Sequence, residues 1–107
     1  MRIKEINKWI NEGGSLPQNL TEEEKDHLTK LGWSLKEEWH GNGEKWYEQH
    51  YLHGKRHGKW EMWGSNGQKW YEKNFFHGMK HGVFKDWWYE DGSLYRDEEY
   101  FYGNKIK

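Results

Sequence analysis

A 24-residue unit is written three times into the last two-thirds of this chain. Trp39-His-Gly-Asn-Gly-Glu-Lys-Trp-Tyr-Glu returns as Trp63-Gly-Ser-Asn-Gly-Gln-Lys-Trp-Tyr-Glu, and again, one residue late, as Trp88-Tyr-Glu-Asp-Gly-Ser-Leu-Tyr-Arg-Asp. Gly43, Gly67 and Gly92 keep the beat, as do Gly54, Gly78 and Gly103. A fixed period in this range marks a repeat array, in which each unit buries its apolar face against its neighbours. Such arrays are usually binding surfaces, and catalytic sites rarely come in threes.

The units read as strands and turns. Asn42-Gly43, Asn66-Gly67 and Asp91-Gly92 are strong tight-turn dipeptides, since both central residues of such turns tolerate positive φ. A second turn in each unit is His53-Gly54-Lys-Arg-His57-Gly58, then His77-Gly78-Met-Lys-His81-Gly82. Between them lie aromatic runs, giving strands near 34–39, 44–52, 59–64, 68–76, 83–89 and 94–101. Short turns between consecutive strands make an antiparallel meander. Upstream the period changes. Ile3, Ile6, Trp9 and Ile10 share one helical face over 2–12, and Gly13-Gly14 ends that helix. A linker over 15–20 holds the only proline, Pro17. Thr21 with Glu24 fits a capping box for a second helix over 22–31. Residues 1–38 are therefore expected to form a helical cap, and 39–107 the repeats (39–62, 63–87, 88–107).

The core must come from aromatics: of nine Trp, seven Tyr and four Phe, all but Trp9 and Trp33 lie at or after Trp39. Each buries roughly 150–250 Å². With 17 basic and 18 acidic residues, the chain lacks the positive surplus of a nucleic-acid binder. Without cysteine there is neither a disulfide framework nor a thiolate zinc site. No apolar run reaches membrane-span length and no signal core opens the chain, so a soluble cytoplasmic protein is expected.

The pattern Tyr/Trp-x-x-Asn-Gly, an aromatic strand, then x-Gly-x-x-x-Gly-x-Trp/Phe resembles MORN-type repeats, and the 24-residue spacing is similar to the bacterial YwqK-type antitoxin variant. The resemblance covers residues 39–107; the third copy departs from it, with an extra residue near Trp87-Trp88. It implies a mainly β fold: an antiparallel meander of hairpin repeats in one elongated, twisted sheet, with the helical cap at its N-terminal end. It also implies a protein-interaction role. The partner would be a toxin or a nuclease-type effector, bound by an antitoxin or immunity protein, or by a phage- or prophage-encoded inhibitor of a bacterial defence nuclease such as an anti-CRISPR. The alternative is a carbohydrate or cell-wall module, because Gly43-Glu-Lys-Trp46-Tyr47 resembles the Gly-x-Trp-Tyr of choline-binding repeats with one extra residue. Base stacking on the Trp row is a third reading, disfavoured by charge; no membrane partner is expected.

Trp46, Trp70 and Tyr95 occupy equivalent positions. Strict strand alternation places them on one face with Glu48, Glu72 and Asp97, and with Leu52, Phe76 and Phe101 further along. Tyr47, Tyr71 and Arg96, then Tyr51, Phe75 and Tyr100, fall on the other face. The two rows of three, aromatic and acidic, are the candidate partner-binding residues. The acidic row also has a plain explanation, pairing with Lys45, Lys69, Lys59 or Lys85. The His53/His57 and His77/His81 pairs flank glycine turns, which favours solvated or edge-packing histidines over a metal site. No nucleophile–base pair or phosphate-cradling loop appears, so no enzyme and no cofactor are expected.

Overall fold

The computed structural model describes all 107 residues. Two helices, α1 (Ile3–Glu12) and α2 (Glu22–Lys30), precede nine strands: β1 (Trp33–Trp39), β2 (Lys45–Leu52), β3 (Lys55–Arg56), β4 (Gly58–Trp63), β5 (Lys69–Phe76), β6 (Met79–Lys80), β7 (Gly82–Trp87), β8 (Leu94–Phe101) and β9 (Asn104–Lys105). The strands form one open antiparallel sheet in the order β1-β2-β4-β5-β7-β8-β9, with β3 on β2 and β6 on β5. The molecule is a slab of 40 × 38 × 21 Å. The mainly β meander expected from the repeats is what the chain forms.

Both helices start and stop where their sequence signals stand. Gly13, at φ 80°, caps α1. Thr21 Oγ1 accepts the Glu24 N–H while the Glu24 carboxylate accepts the Thr21 N–H, a complete capping box. Glu24 is buried, and Arg2 answers its charge with Nε and a terminal nitrogen at 2.9 and 2.7 Å. These bonds hold the Glu24 carboxyl well below the usual carboxylate range. The helices cover one end of one sheet face, where Ile6, Trp9 and Leu28 pack on Trp33 and Leu52.

The other face has an aromatic core of its own. Tyr51, Trp60, Phe75, Phe84 and Tyr100 touch in sequence across β2, β4, β5, β7 and β8, with successive ring centroids 5.2, 5.2, 5.3 and 5.1 Å apart. Arg56 lies over Trp60 and Phe75, and Lys80 over Phe84 and Tyr100. The long cationic side chains thus act as lids, burying Phe75 and Phe84 without a second layer of backbone.

The turns differ from expectation in an instructive way. Positive φ at both central residues occurs at His53-Gly54 and His77-Gly78, the signature of a type I′ hairpin, and β3 and β6 follow these turns as two-residue strands. At the Asn-Gly loops only the glycines have positive φ. There Gly43 N–H donates to His40 O and His40 N–H to Glu44 O, a type I turn closed by a left-handed glycine; Gly64 to Gln68 repeats it. In the third unit Trp88 N–H reaches Ser93 O, so the extra residue is absorbed in that loop.

Candidate functional site

Each wide hairpin carries a β-bulge, and the bulged residues are Trp46, Trp70 and Tyr95. Register steps from Glu38↔Tyr47 to Trp39↔Lys45, from Met62↔Tyr71 to Trp63↔Lys69, and from Asp86↔Arg96 to Trp87↔Leu94, skipping one residue each time. A bulge resets the alternation of side chains. Lys45 therefore reaches the face of Glu37 and Glu48, which strict alternation from Glu48 would deny it. Trp46 turns away from that face: its ring centroid lies 5.4 Å from that of Tyr47, its chain neighbour. The expectation that the aromatic and acidic rows share one face is thus corrected. The sequence signal was present, since the bulge falls at the Trp of each Gly-x-Lys-Trp-Tyr, but alternation alone cannot reveal an inserted residue.

The bulge also gives each unit the same local contact. The bulged residue packs on the residue that opens its own loop, at positions 40, 64 and 88. His40 stacks on Trp46 at 5.4 Å, and Trp88 on Tyr95 at 4.2 Å, both at an interplanar angle of 29°. In the middle unit the loop opens with Gly64, and the Trp70 indole occupies the place of its absent side chain: a Cβ there would stand 2.9 Å from Nε1. Trp70 is further flanked by His40 at 6.4 Å and Tyr89 at 6.0 Å. His40 Nε2–H donates to Trp63 O and Asn42 Nδ2–H to Ser65 O, tying the first loop to the second. The result is a fixed strip along the loop end of the sheet. Trp46 (40% exposed), Trp88, Tyr89 (65%) and Tyr95 (52%) are open to solvent; Trp70 is half-buried among them.

The acidic row is longer than the sequence suggested. Glu37, Glu48, Glu61 and Glu72 stand directly opposite one another across β1, β2, β4 and β5, followed by Lys85 and Asp97. Glu37 and Glu61 were not identified from the sequence, because their placement depends on strand register. Like charges in this position destabilise a sheet. Lys45 clips Glu37 to Glu48, and Lys69 clips Glu61 to Glu72 at 2.7 and 3.2 Å. Glu48 also accepts His50 Nε2–H at 3.0 Å, and the His50 ring is fixed by Trp33 Nε1–H donating to its Nδ1. The His50 bond, with Lys45 adding its charge, lowers the Glu48 carboxyl to about 2 against the opposing effect of its burial. The linker at 14–20 arches over this row and encloses a cleft of about 460 Å³. Its carboxylates face lysines and a histidine, so the row is largely neutralised from within the chain.

The histidines of the narrow turns are not solvated as a set. His57 is fully buried: its Nε2–H donates to Trp9 O at 2.8 Å and its Nδ1 accepts the His77 N–H at 3.0 Å. Both ring nitrogens are committed. No group of three or more His, Asp or Glu side chains converges closely enough to hold a metal ion. No helix is long and apolar enough to cross a membrane. The chain matches no family model, no curated protein and no solved structure.

Proposed function

We propose that this chain is a MORN-like repeat protein, a non-catalytic interaction module that captures and neutralises a protein partner through its loop-end aromatic strip. One observation carries the reading: in every unit a β-bulge removes one aromatic residue from the ladder and seats it on the loop, and in the two outer units that residue, Trp46 or Tyr95, is fixed yet exposed. Rigid, amphipathic Trp and Tyr are the side chains that supply most of the energy at protein interfaces. The partner is a toxin or nuclease-type effector, and the role that of an antitoxin, immunity protein or phage-borne inhibitor.

The test is affinity capture from the native host by the wild-type chain and by the double variant Trp46→Ala/Tyr95→Ala, followed by mass spectrometry. One toxin or nuclease recovered stoichiometrically by the wild type, and lost by a variant with unchanged circular dichroism, is the expected result. Recovery of glycan alone, or of the same protein by both, would overturn the proposal.

A further inference from the structure

The bulge that follows the first narrow turn is occupied by the chain itself. His57 Nε2–H donates to Trp9 O, Lys59 N–H donates to Gly14 O at 3.0 Å, and the Trp9 indole fills the space over Gly58, where a Cβ would stand 2.2 Å from Nε1. What these three residues hold is the end of α1: a tryptophan, its carbonyl, and the glycine that follows the cap. The Trp9 carbonyl, which already accepts the Gly13 N–H of the helix cap, takes a second hydrogen bond from the bulge, and the Gly14 carbonyl just beyond the cap takes another.

The second bulge, His81-Gly82-Val83, is built the same way. His81 N–H donates to Asn74 O at 3.1 Å, as His57 N–H does to His50 O at 3.0 Å. His81 Nδ1 accepts the Tyr102 N–H at 2.9 Å, as His57 Nδ1 accepts that of His77. A ring that accepts at Nδ1 carries its proton on Nε2 when neutral. Phe101 stands 5.3 Å from His81, as Phe76 stands 5.3 Å from His57, and Tyr102 lies at 4.4 Å, as His77 lies at 4.6 Å. The counterpart of Trp9 is missing, and Asn74 borders its place: a Cβ on Gly82 would stand 3.0 Å from the Asn74 Cβ, and Asn74 Nδ2–H donates to Val83 O. His57 and Gly58 are buried beneath α1, whereas His81 and Gly82 are half-buried, Phe101 is exposed, and the His81 Nε2–H has no acceptor in the chain. The open cradle is continuous with the α1 interface, because a Cβ on Gly13 would lie 3.8 Å from the Phe76 ring.

We propose that the His81-Gly82-Val83 bulge is a docking site for the C-terminal turn of an amphipathic helix from a partner protein, one that presents a tryptophan and ends in glycine. The first bulge shows what such a cradle recognises, and the second offers the same donors. This surface lies at the opposite end of the strands from the aromatic strip, so it goes beyond the function proposed above and is tested separately.

The probe is a synthetic peptide with the sequence of residues 1–16, added to the isotope-labelled full chain and followed by NMR. Shifts centred on the His81 ring, the Val83 amide and Phe101 are expected, with a Kd on the order of 100 µM because the peptide must order its helix on binding. His81→Ala in the protein, or replacement of the peptide's tryptophan by alanine, should each weaken binding about tenfold or more. The peptide variant keeps the test sharp if His81→Ala impairs folding. No shift at a peptide excess of roughly ten times that Kd, or shifts confined to His57 and α1 through strand-for-strand exchange of the chain's own helix, would overturn the proposal. So would concentration-dependent dimerisation of the chain alone through this site, since the occupant would then be a second copy.

Discussion

His57 Nδ1 accepts the backbone N–H of His77 from the next repeat, while the neighbouring Gly78 N–H donates to Arg56 O at 2.8 Å. The second junction is the same, with Tyr102 N–H on His81 Nδ1 and Gly103 N–H on Lys80 O. The His77-Gly78 turn and its counterpart Tyr102-Gly103, also at positive φ, thus each give both amides to the unit before them. The first junction can exist only while Nδ1 of His57 is unprotonated, and burial beneath α1, acting first, pushes the His57 pKa below its ordinary value of 6.5.

The pH dependence follows. A depressed histidine binds its proton more weakly in the folded chain than in the unfolded one, so its stabilisation is complete above about 6.5 and is lost as pH falls below that through the folded value. Urea midpoints measured between roughly pH 7.5 and 5 should decline, and His57→Gln, less stable at neutral pH, should decline less steeply. Equal slopes in the two proteins would remove His57 from the account.

Gly58 and Gly54 separate crowding from backbone strain. Both have positive φ, but a Cβ at Gly58 meets the Trp9 indole at 2.2 Å, whereas one at Gly54 meets nothing within 4 Å. Gly54→Ala should cost about 1–2 kcal/mol, the left-handed penalty alone. Gly58→Ala should cost a further ~1–3 kcal/mol because the helical cap must shift. Chemical denaturation of the two variants gives the comparison directly.

Gly64→Ala addresses the middle of the aromatic strip. Gly64 does not need its freedom of φ, yet its Cβ would stand 2.9–3.1 Å from the Trp70 indole. The variant should lose about 1–3 kcal/mol through overpacking and expose Trp70 to fluorescence quenchers. Trp46→Ala, which vacates a largely open position, should cost less than about 1 kcal/mol.

Lys45→Met tests the carboxylate row. Removing the clip leaves Glu37 opposite Glu48 with no cation between them, for a loss of roughly 1 kcal/mol that added salt should partly restore. Glu48 gives the row a second signature in acid. Its stabilisation is complete above its ordinary 4.5 and fades as pH falls toward about 2, and Glu48→Gln should abolish that part of the acid transition.

Much of the fold was legible because several independent signals coincide. Period, turn dipeptides and aromatic runs fixed the meander, and Thr21 with Glu24 and Gly13-Gly14 fixed the helices near their true ends. What escaped were features created by register. The bulges at Trp46, Trp70 and Tyr95 move those residues off the face that alternation assigns them. Glu37 and Glu61 join the acidic row only once β1 and β4 are laid beside their partners. The burial of His57 depends on α1 returning from 48 residues upstream, beyond any local pattern.

A bulged residue takes no part in the strand ladder, and this separates two selective pressures. Hydrogen bonds on either side of Trp46 or Tyr95 hold the sheet whatever side chain stands there. The strip can therefore drift toward new partners, or be rewritten by design, with little debt to foldability. At Trp70 the empty space over Gly64 forbids such freedom. One unit of three is anchored, and the outer two remain open to variation.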